Sequence, residues 1–157
     1  MGSSLVELKF QLAVDDGWPP VTAEALWCML TPTGYLVESI PLFVKDLSVG
    51  DVIDAAPDAE GRVWEWEQVD ESNRSTIWLA RLSGAGNDAI LAVLDELHAL
   101  NCTWASAGQL GCYALDVPPE CPLGEVDALL ARLDPAAVAV AYPSLRHHDY
   151  SENFSQS

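Results

Sequence analysis

Residues 5–14 (LVELKFQLAV) alternate: Val6, Leu8, Phe10 and Leu12 fall on one side, and Leu5, Glu7, Lys9 and Gln11 on the other. A period of two is that of a strand with one wet face. The run stops at Asp15-Asp16-Gly17-Trp18-Pro19-Pro20, where glycine and proline specify a loop. Residues 23–30 (AEALWCML) are short and flanked by breakers, which favours a second strand over a helical turn. Further β-type segments follow at 35–39, 51–56 and 62–70, set off by Thr31-Pro32-Thr33-Gly34, Val49-Gly50 and Pro57-Asp58-Ala59-Glu60-Gly61. Five short strands at close spacing predict a small β-barrel or a strongly bent antiparallel sheet over residues 1–74.

The pattern changes after Arg74. Residues 75–82 (STIWLARL) predict a strand, and 87–100 place Ile90, Leu91, Leu94, Leu97 and Leu100 on one helical stripe behind an Asn87 or Asp88 cap. Residues 102–106 and 110–117 predict a hairpin through Ala107-Gly108-Gln109. Pro118-Pro119 then breaks the chain, 123–133 predict a second helix stopped by Asp134-Pro135, and 137–142 (AVAVAY) are a last strand. The order β-α-β-β-α-β is that of a split βαβ, ferredoxin-like subdomain over residues 75–142, so the fold class is α+β. Alternation turns Ile77 and Leu79 toward the helices and leaves Trp78, Ala80, Cys102, Trp104, Cys112 and Ala114 on the open face of the sheet. Residues 143–157 are polar and aperiodic, which predicts a mobile C-terminal tail.

Composition adds that this foldable chain is very acidic. Half of its 157 residues are apolar, yet 24 Asp and Glu face 7 Lys and Arg, for a formal charge of −17. A disordered acidic tail would lack the large apolar residues found here from end to end, so the acid sits on a folded object. Seven scattered cations build no neutralising patch, which excludes nucleic acid and anionic membranes as partners. No run of apolar residues is long enough to span a bilayer, and Met1-Gly2-Ser3-Ser4 does not open a signal peptide. The expectation is a cytoplasmic protein, a monomer or weak homodimer, whose charge suits a basic protein partner.

Catalytic signatures are missing from the sequence. It has no GxSxG elbow, no Cys-His or Ser-Lys arrangement and no phosphate cradle; Ser83-Gly84-Ala85-Gly86-Asn87 precedes a helix but lacks GxGxxG and GK[ST]. Cys28, Cys102, Cys112 and Cys121 have no CxxC spacing, and His147-His148 is the one adjacent pair among the three histidines, the third being His98. The expectation is reduced, buried thiols, no metal, no cofactor and no catalytic residue. The predicted hairpin register brings Cys102 near Cys112, so a redox or two-ligand site there stays conceivable.

Charge is densest over residues 51–71. Asp51, Asp54, Asp58, Glu60, Glu65, Glu67, Asp70 and Glu71 face one cation, Arg62, and are interleaved with Val52, Val63, Trp64, Trp66 and Val69. In one continuous strand Trp64 and Trp66 would share a face, with Glu65 and Glu67 on the other. A barrel strand with core tryptophans and a wet acidic side accounts for this. So does an acidic docking ridge that steers a basic partner and imitates nucleic-acid phosphate.

Several short motifs lie in order along the chain: Gly17-Trp18-Pro19-Pro20-Val21, Glu24-Ala25-Leu26-Trp27, Ile40-Pro41-Leu42-Phe43, Leu47-Ser48-Val49-Gly50-Asp51-Val52, Ser75-Thr76 and Ala114-Leu115-Asp116-Val117-Pro118-Pro119. By these the chain resembles, over roughly residues 5–142, a bacterial family described as a domain of unknown function and common in actinobacteria. The resemblance implies a two-part layout and brings no catalytic residues. In size and charge the chain is also similar to small acidic immunity proteins that neutralise toxin domains. The functional expectation is a non-catalytic acidic module that occludes a basic, nucleic-acid-targeting toxin domain through the eight-acid ridge. The alternative is a regulatory or structural interaction module with an unrelated cytosolic client.

Overall fold

The computed structural model describes residues 5–82 and 87–147. Outside them fall residues 1–4, the anion-loop candidate at 83–86, and 148–157 with His148. The chain divides into two compact units, Met1–Ser72 and Asn73–Ser157. The fold is mixed α+β and mostly sheet, and among the described residues no helix is long and apolar enough to cross a membrane.

The first unit is one six-stranded sheet: β1 (Leu5–Gln11), β2 (Ala23–Thr31), β3 (Gly34–Val37), β4 (Val52–Ala55), β5 (Arg62–Val63) and β6 (Trp66–Asp70), in the order β5-β1-β2-β3-β4-β6. The pairings are antiparallel except β1 with β5, which is parallel. The single strand expected over 62–70 is therefore two strands on opposite edges of the sheet. A flat sheet of this width would hold its edges about 24 Å apart at about 4.8 Å per strand. The chain from Val63 to Trp66 reaches about 11 Å at most. The sheet must curl until its edges approach, and the two-residue link Trp64-Glu65 crosses between them. Trp64-Glu65-Trp66-Glu67 alternate as one strand would, which masks the switch of partner, although the adjacent apolar pair Val63-Trp64 breaks the phase at the link.

The concave side of the curl is filled by alternate residues. Leu8 and Phe10 of β1, Leu26 and Cys28 of β2, Val37, Ile53 and Val63 are all buried there, joined by Val44 and Leu47 from the loop before β4. Gly34 shows how closely the strands pass: a Cβ at this position would fall inside contact distance of the Ile53 carbonyl, so only glycine fits.

The second unit is a four-stranded antiparallel sheet with two helices: β7 (Ser75–Arg81), α1 (Asn87–His98), β8 (Thr103–Ala107), β9 (Cys112–Val117), α2 (Leu123–Leu130) and β10 (Val138–Ser144), in the strand order β10-β7-β9-β8. The core holds Ile77 and Leu79 of β7, Leu115 of β9, Ile90, Val93, Leu94 and Leu97 of α1, and Leu123, Val126 and Leu130 of α2. Val93 occupies the stripe position expected for Leu91, which is 38% exposed.

Helix α1 ends in a Schellman motif. Asn101 takes a left-handed conformation (φ 74°), its N–H donates to the His98 carbonyl at 2.9 Å, and the Cys102 N–H donates to the Leu97 carbonyl at 3.1 Å. This reversal carries Cys102 into the helix-side core, not onto the open face expected from alternation. Trp104 lies opposite Leu115, on the helix side as well, and meets Tyr113 edge to face at 6.3 Å. Trp78 pairs across the sheet with Ala114, and Ala80 with Cys112, as expected of one shared face.

Residues 143–147, expected to belong to the tail, are structured. β10 runs to Ser144, and beyond it the Arg146 N–H donates to Ser75 Oγ at 2.6 Å. His147 Nδ1 lies 2.6 Å from Ser75 Oγ, and its Nε2 lies 2.9 Å from the Pro118 carbonyl oxygen. A carbonyl only accepts, so Nε2 carries a proton toward Pro118. These bonds fix 145–147 against the start of β7.

Candidate partner-binding site

The eight acidic residues of the expected ridge occupy four different environments. Asp51 is wholly buried and structural. Its carboxylate accepts the Ser48 N–H at 3.0 Å and the Ser72 N–H at 2.9 Å, while Ser72 Oγ donates to the Val49 carbonyl at 2.7 Å. Asp51 is therefore removed from any docking surface: drawing its carboxylate out to a partner would take this acceptor from the buried Ser48 N–H.

Asp58 and Glu60 are already engaged by Arg62. Asp58 Oδ1 accepts the N–H groups of Glu60 and Arg62 at 3.0 and 2.9 Å, Arg62 Nε donates to Asp58 Oδ2 at 2.8 Å, and Arg62 Nη2 donates to Glu60 at 2.7 Å. Gly61 closes the turn at φ 81°, and the guanidinium lies 5.8 Å from the centre of the Trp64 ring. The Arg62 N–H, and after it the guanidinium and the Glu60 N–H, lower the Asp58 carboxyl to about 2. A depressed folded-state pKa gives stability that is present above the ordinary value of 3.8 and lost as pH falls through about 2. Carbon-detected NMR titration of Asp58 is expected to give a midpoint near 2; an ordinary aspartate midpoint would show that the turn opens in solution.

Asp54, Glu65 and Glu67 come together with Trp64 and Trp66. With Ala55 and Ala56 they line a cleft of about 710 Å³ on the β4–β6 side of the first unit. Trp64 is not a core residue, as continuous alternation would make it: it sits in the crossing link and is 63% exposed. Trp66 is half-buried and packs partly on the core. Asp54 and Glu67 are direct cross-strand partners. Like charges directly opposite on a sheet are destabilising, so the sheet gains nothing from this pair. Among the described residues, no cation pairs with Asp54, Glu65 or Glu67. Asp70 and Glu71 are exposed at the end of β6, outside the cleft lining.

The buried polar residues that alternation did not single out are structural. Glu24 sits on the inward side of β2 beside Leu26 and Cys28 and is 9% exposed. Its carboxylate accepts three successive backbone N–H groups, from Leu42 at 2.6 Å, Phe43 at 2.9 Å and Val44 at 3.0 Å. Trp18 meets Phe43 edge to face at 5.9 Å. Asp116, 3% exposed, takes a two-pronged ion pair from Arg74, with Nε at 2.9 Å and Nη2 at 2.7 Å from Oδ2. An acid at an inward strand position, as Glu24 is, was the available signal. Glu24 thus holds the 42–44 loop to β2, and Asp116 holds Arg74 to β9.

Two apparent reactive groupings are closed to substrate. Ser75 and His147 have the composition of a nucleophile and base, but Ser75 is wholly buried and its oxygen already engages the Arg146 N–H and the ring. Cys102 neighbours Cys121 at 3.8 Å, not Cys112, because the Schellman turn draws it into the core. Burial pushes the Cys28 and Cys102 thiols up to about 12 and raises Cys112 and Cys121, away from the reactive thiolate form. Among the described residues, no group of three or more His, Cys, Asp or Glu side chains is placed to hold a metal ion.

None of the curated proteins matches this chain. A crystal structure of a hypothetical protein from Neisseria gonorrhoeae is similar in fold, with a TM-score of 0.67 at 19% identity over 89% of this chain and 96% of that one. A family model, described as a domain of unknown function (DUF4265), matches residues 24–140. That span takes in Glu24 and its three backbone donors, the acidic cleft and the Arg74–Asp116 pair, and the chain belongs to the DUF4265 family.

Proposed function

We propose that this protein is a non-catalytic acidic binding module whose Trp64–Trp66 cleft receives cationic side chains of a basic protein partner. We further propose that it acts in the cytosol as an immunity-type inhibitor, occluding a toxin domain that works on nucleic acid. The observation that carries this reading is the cleft itself. Three carboxylates without a cation and an exposed indole surround it, with Asp54 set against Glu67 at a cost to the sheet. A guanidinium or ammonium entering there gains charge pairing from the carboxylates and a ring face from the tryptophans. A nuclease-like partner, whose surface is built to hold phosphate, offers that chemistry, and the net charge of −17 steers it in. In the second unit, the strand order β10-β7-β9-β8 with two crossover helices supports a ferredoxin-like reading.

The test is to search the genes beside this one for a basic toxin domain and co-express any such domain with this protein, paired with stopped-flow association. Growth is expected to be rescued, and Glu65→Lys with Glu67→Lys is expected to slow association roughly tenfold and abolish rescue. Trp64→Ala should weaken affinity by about 2 kcal/mol, mostly through faster dissociation, as for an interface anchor. Reversal at Asp95 and Glu120, exposed in the second unit, is the control. Failure to rescue ends the immunity reading, and equal slowing by both pairs ends the cleft as the docking site.

A further inference from the structure

We propose that β8 is a homotypic interface: a second copy of this chain pairs with it antiparallel, edge to edge, joining two four-stranded sheets into one. A sheet edge presents a row of backbone N–H and C=O groups without partners, and soluble proteins blunt such edges with charge, proline, bulges or shortness. Among the described residues, four strands stand at sheet edges, and three of them are blunted. β5 has only two residues. β6 carries Glu67 and Asp70 among its five. β10 contains Pro143 and breaks register between Ala141 and Ser144. β8 has none of these devices. Thr103–Ala107 reads TWASA, uncharged and without proline, in unbroken register with β9 from Thr103↔Asp116 to Ala107↔Cys112. Among the described residues, its other side pairs with no strand.

Charge identifies the partner. Residues 99–115, which span β8 and its hairpin, contain no Asp, Glu, Lys or Arg in a chain that has 24 acids and 7 bases. Two copies at −17 repel one another over most of their surface but not here, and a basic partner has nothing to pair with on this edge. Antiparallel edge pairing is also self-complementary: one strand meets its own copy about a two-fold axis, so a single surface supplies both halves. Small side chains at Thr103, Ala105, Ser106 and Ala107 leave the backbone approachable. Trp104, 37% exposed, and Leu110, 40% exposed at the hairpin end, add the apolar area that five paired residues lack. The contact falls at the small end of stable interfaces, below about 1,200 Å², so the dimer is reversible.

Sedimentation of the full chain in a dilution series, combined with hydrogen exchange of the 103–107 segment, tests this. The mass is expected to rise with concentration from 17.0 kDa toward twice that value, and the β8 amides are expected to exchange more slowly as it does. Thr103→Lys with Ser106→Lys, both at exposed positions, should abolish both effects without changing the melting temperature. Added lysines reduce the net negative charge and by themselves favour association, so a loss of dimer is a local effect at the edge. A monomer at every concentration overturns the proposal. So does a dimer that survives both lysines, or one whose β8 amides exchange at a rate independent of concentration. If the lysine variant unfolds, the wild-type exchange data decide alone.

Discussion

Replacing Arg74 by alanine should lower stability by about 3 kcal/mol, the low end for breaking a buried ion pair. Asp116 is nearly inaccessible, with a side chain 4% exposed, and loses a two-pronged partner, whereas Arg74 keeps 33% of its side chain in water. Most of the cost is therefore a stranded carboxylate, not a lost attraction. That assignment has a consequence for a double variant. Arg74→Leu with Asp116→Leu removes both charges and should recover most of the loss, because replacing a buried pair by apolar groups is often close to neutral. Urea unfolding of the three proteins measures the effect. A double variant as unstable as Arg74→Ala would show that the two side chains hold the fold through other bonds.

Glu24→Ala should cost about as much, roughly 3 kcal/mol, because three backbone donors at Leu42, Phe43 and Val44 lose their acceptor together. In a chain of this size that corresponds to a fall of roughly 6–12 °C in melting temperature. Glu24→Gln should fall between, since its single carbonyl oxygen cannot serve three donors and its amide would point a donor at a donor. Burial holds the Glu24 carboxyl above its ordinary value of 4.5, against the lowering effect of the three N–H groups. A raised folded-state pKa means that the fold binds this proton more tightly than the unfolded chain. Its contribution is full below pH 4.5 and declines as pH rises through the folded-state value. The penalty of Glu24→Ala should therefore shrink between pH 4.5 and neutrality. A penalty that grows over that interval would show that the three donors outweigh burial.

The proposed docking surface is smaller than the acidic run suggests. Eight acids between Asp51 and Glu71 look equivalent as sequence, since charge density does not distinguish a carboxylate in water from one that caps a turn. Asp51 and Asp54 lie three positions apart, yet the first closes the turn at 47–51 and the second faces the cleft. Arg62 marks Asp58 and Glu60 as engaged only once the turn at Gly61 has folded them around it.

What the sequence determined by itself is what local rules can carry. Alternation marked β1 and the inward positions Leu8 and Phe10, glycine and proline marked the loops, and the helical stripe marked α1, because each depends on residues within a few positions of one another. The mixed α+β class follows from those elements, and the acidic surface from composition. Local turn signals also marked the β8–β9 hairpin, but tertiary structure decided which strands are neighbours in the first unit. Whether 62–70 is one strand or two depends on β1 and β4, which supply the partners on either side, and only curling of the whole sheet brings its edges within reach of Trp64-Glu65. Arg74 finds Asp116 across 42 residues, and Glu24 finds Val44 across 20, so no window of sequence contains either bond. Side-chain periodicity reports which face a residue takes. The partner on that face is set by chain closure and by the requirement that every buried polar group be satisfied, and these are properties of the whole fold.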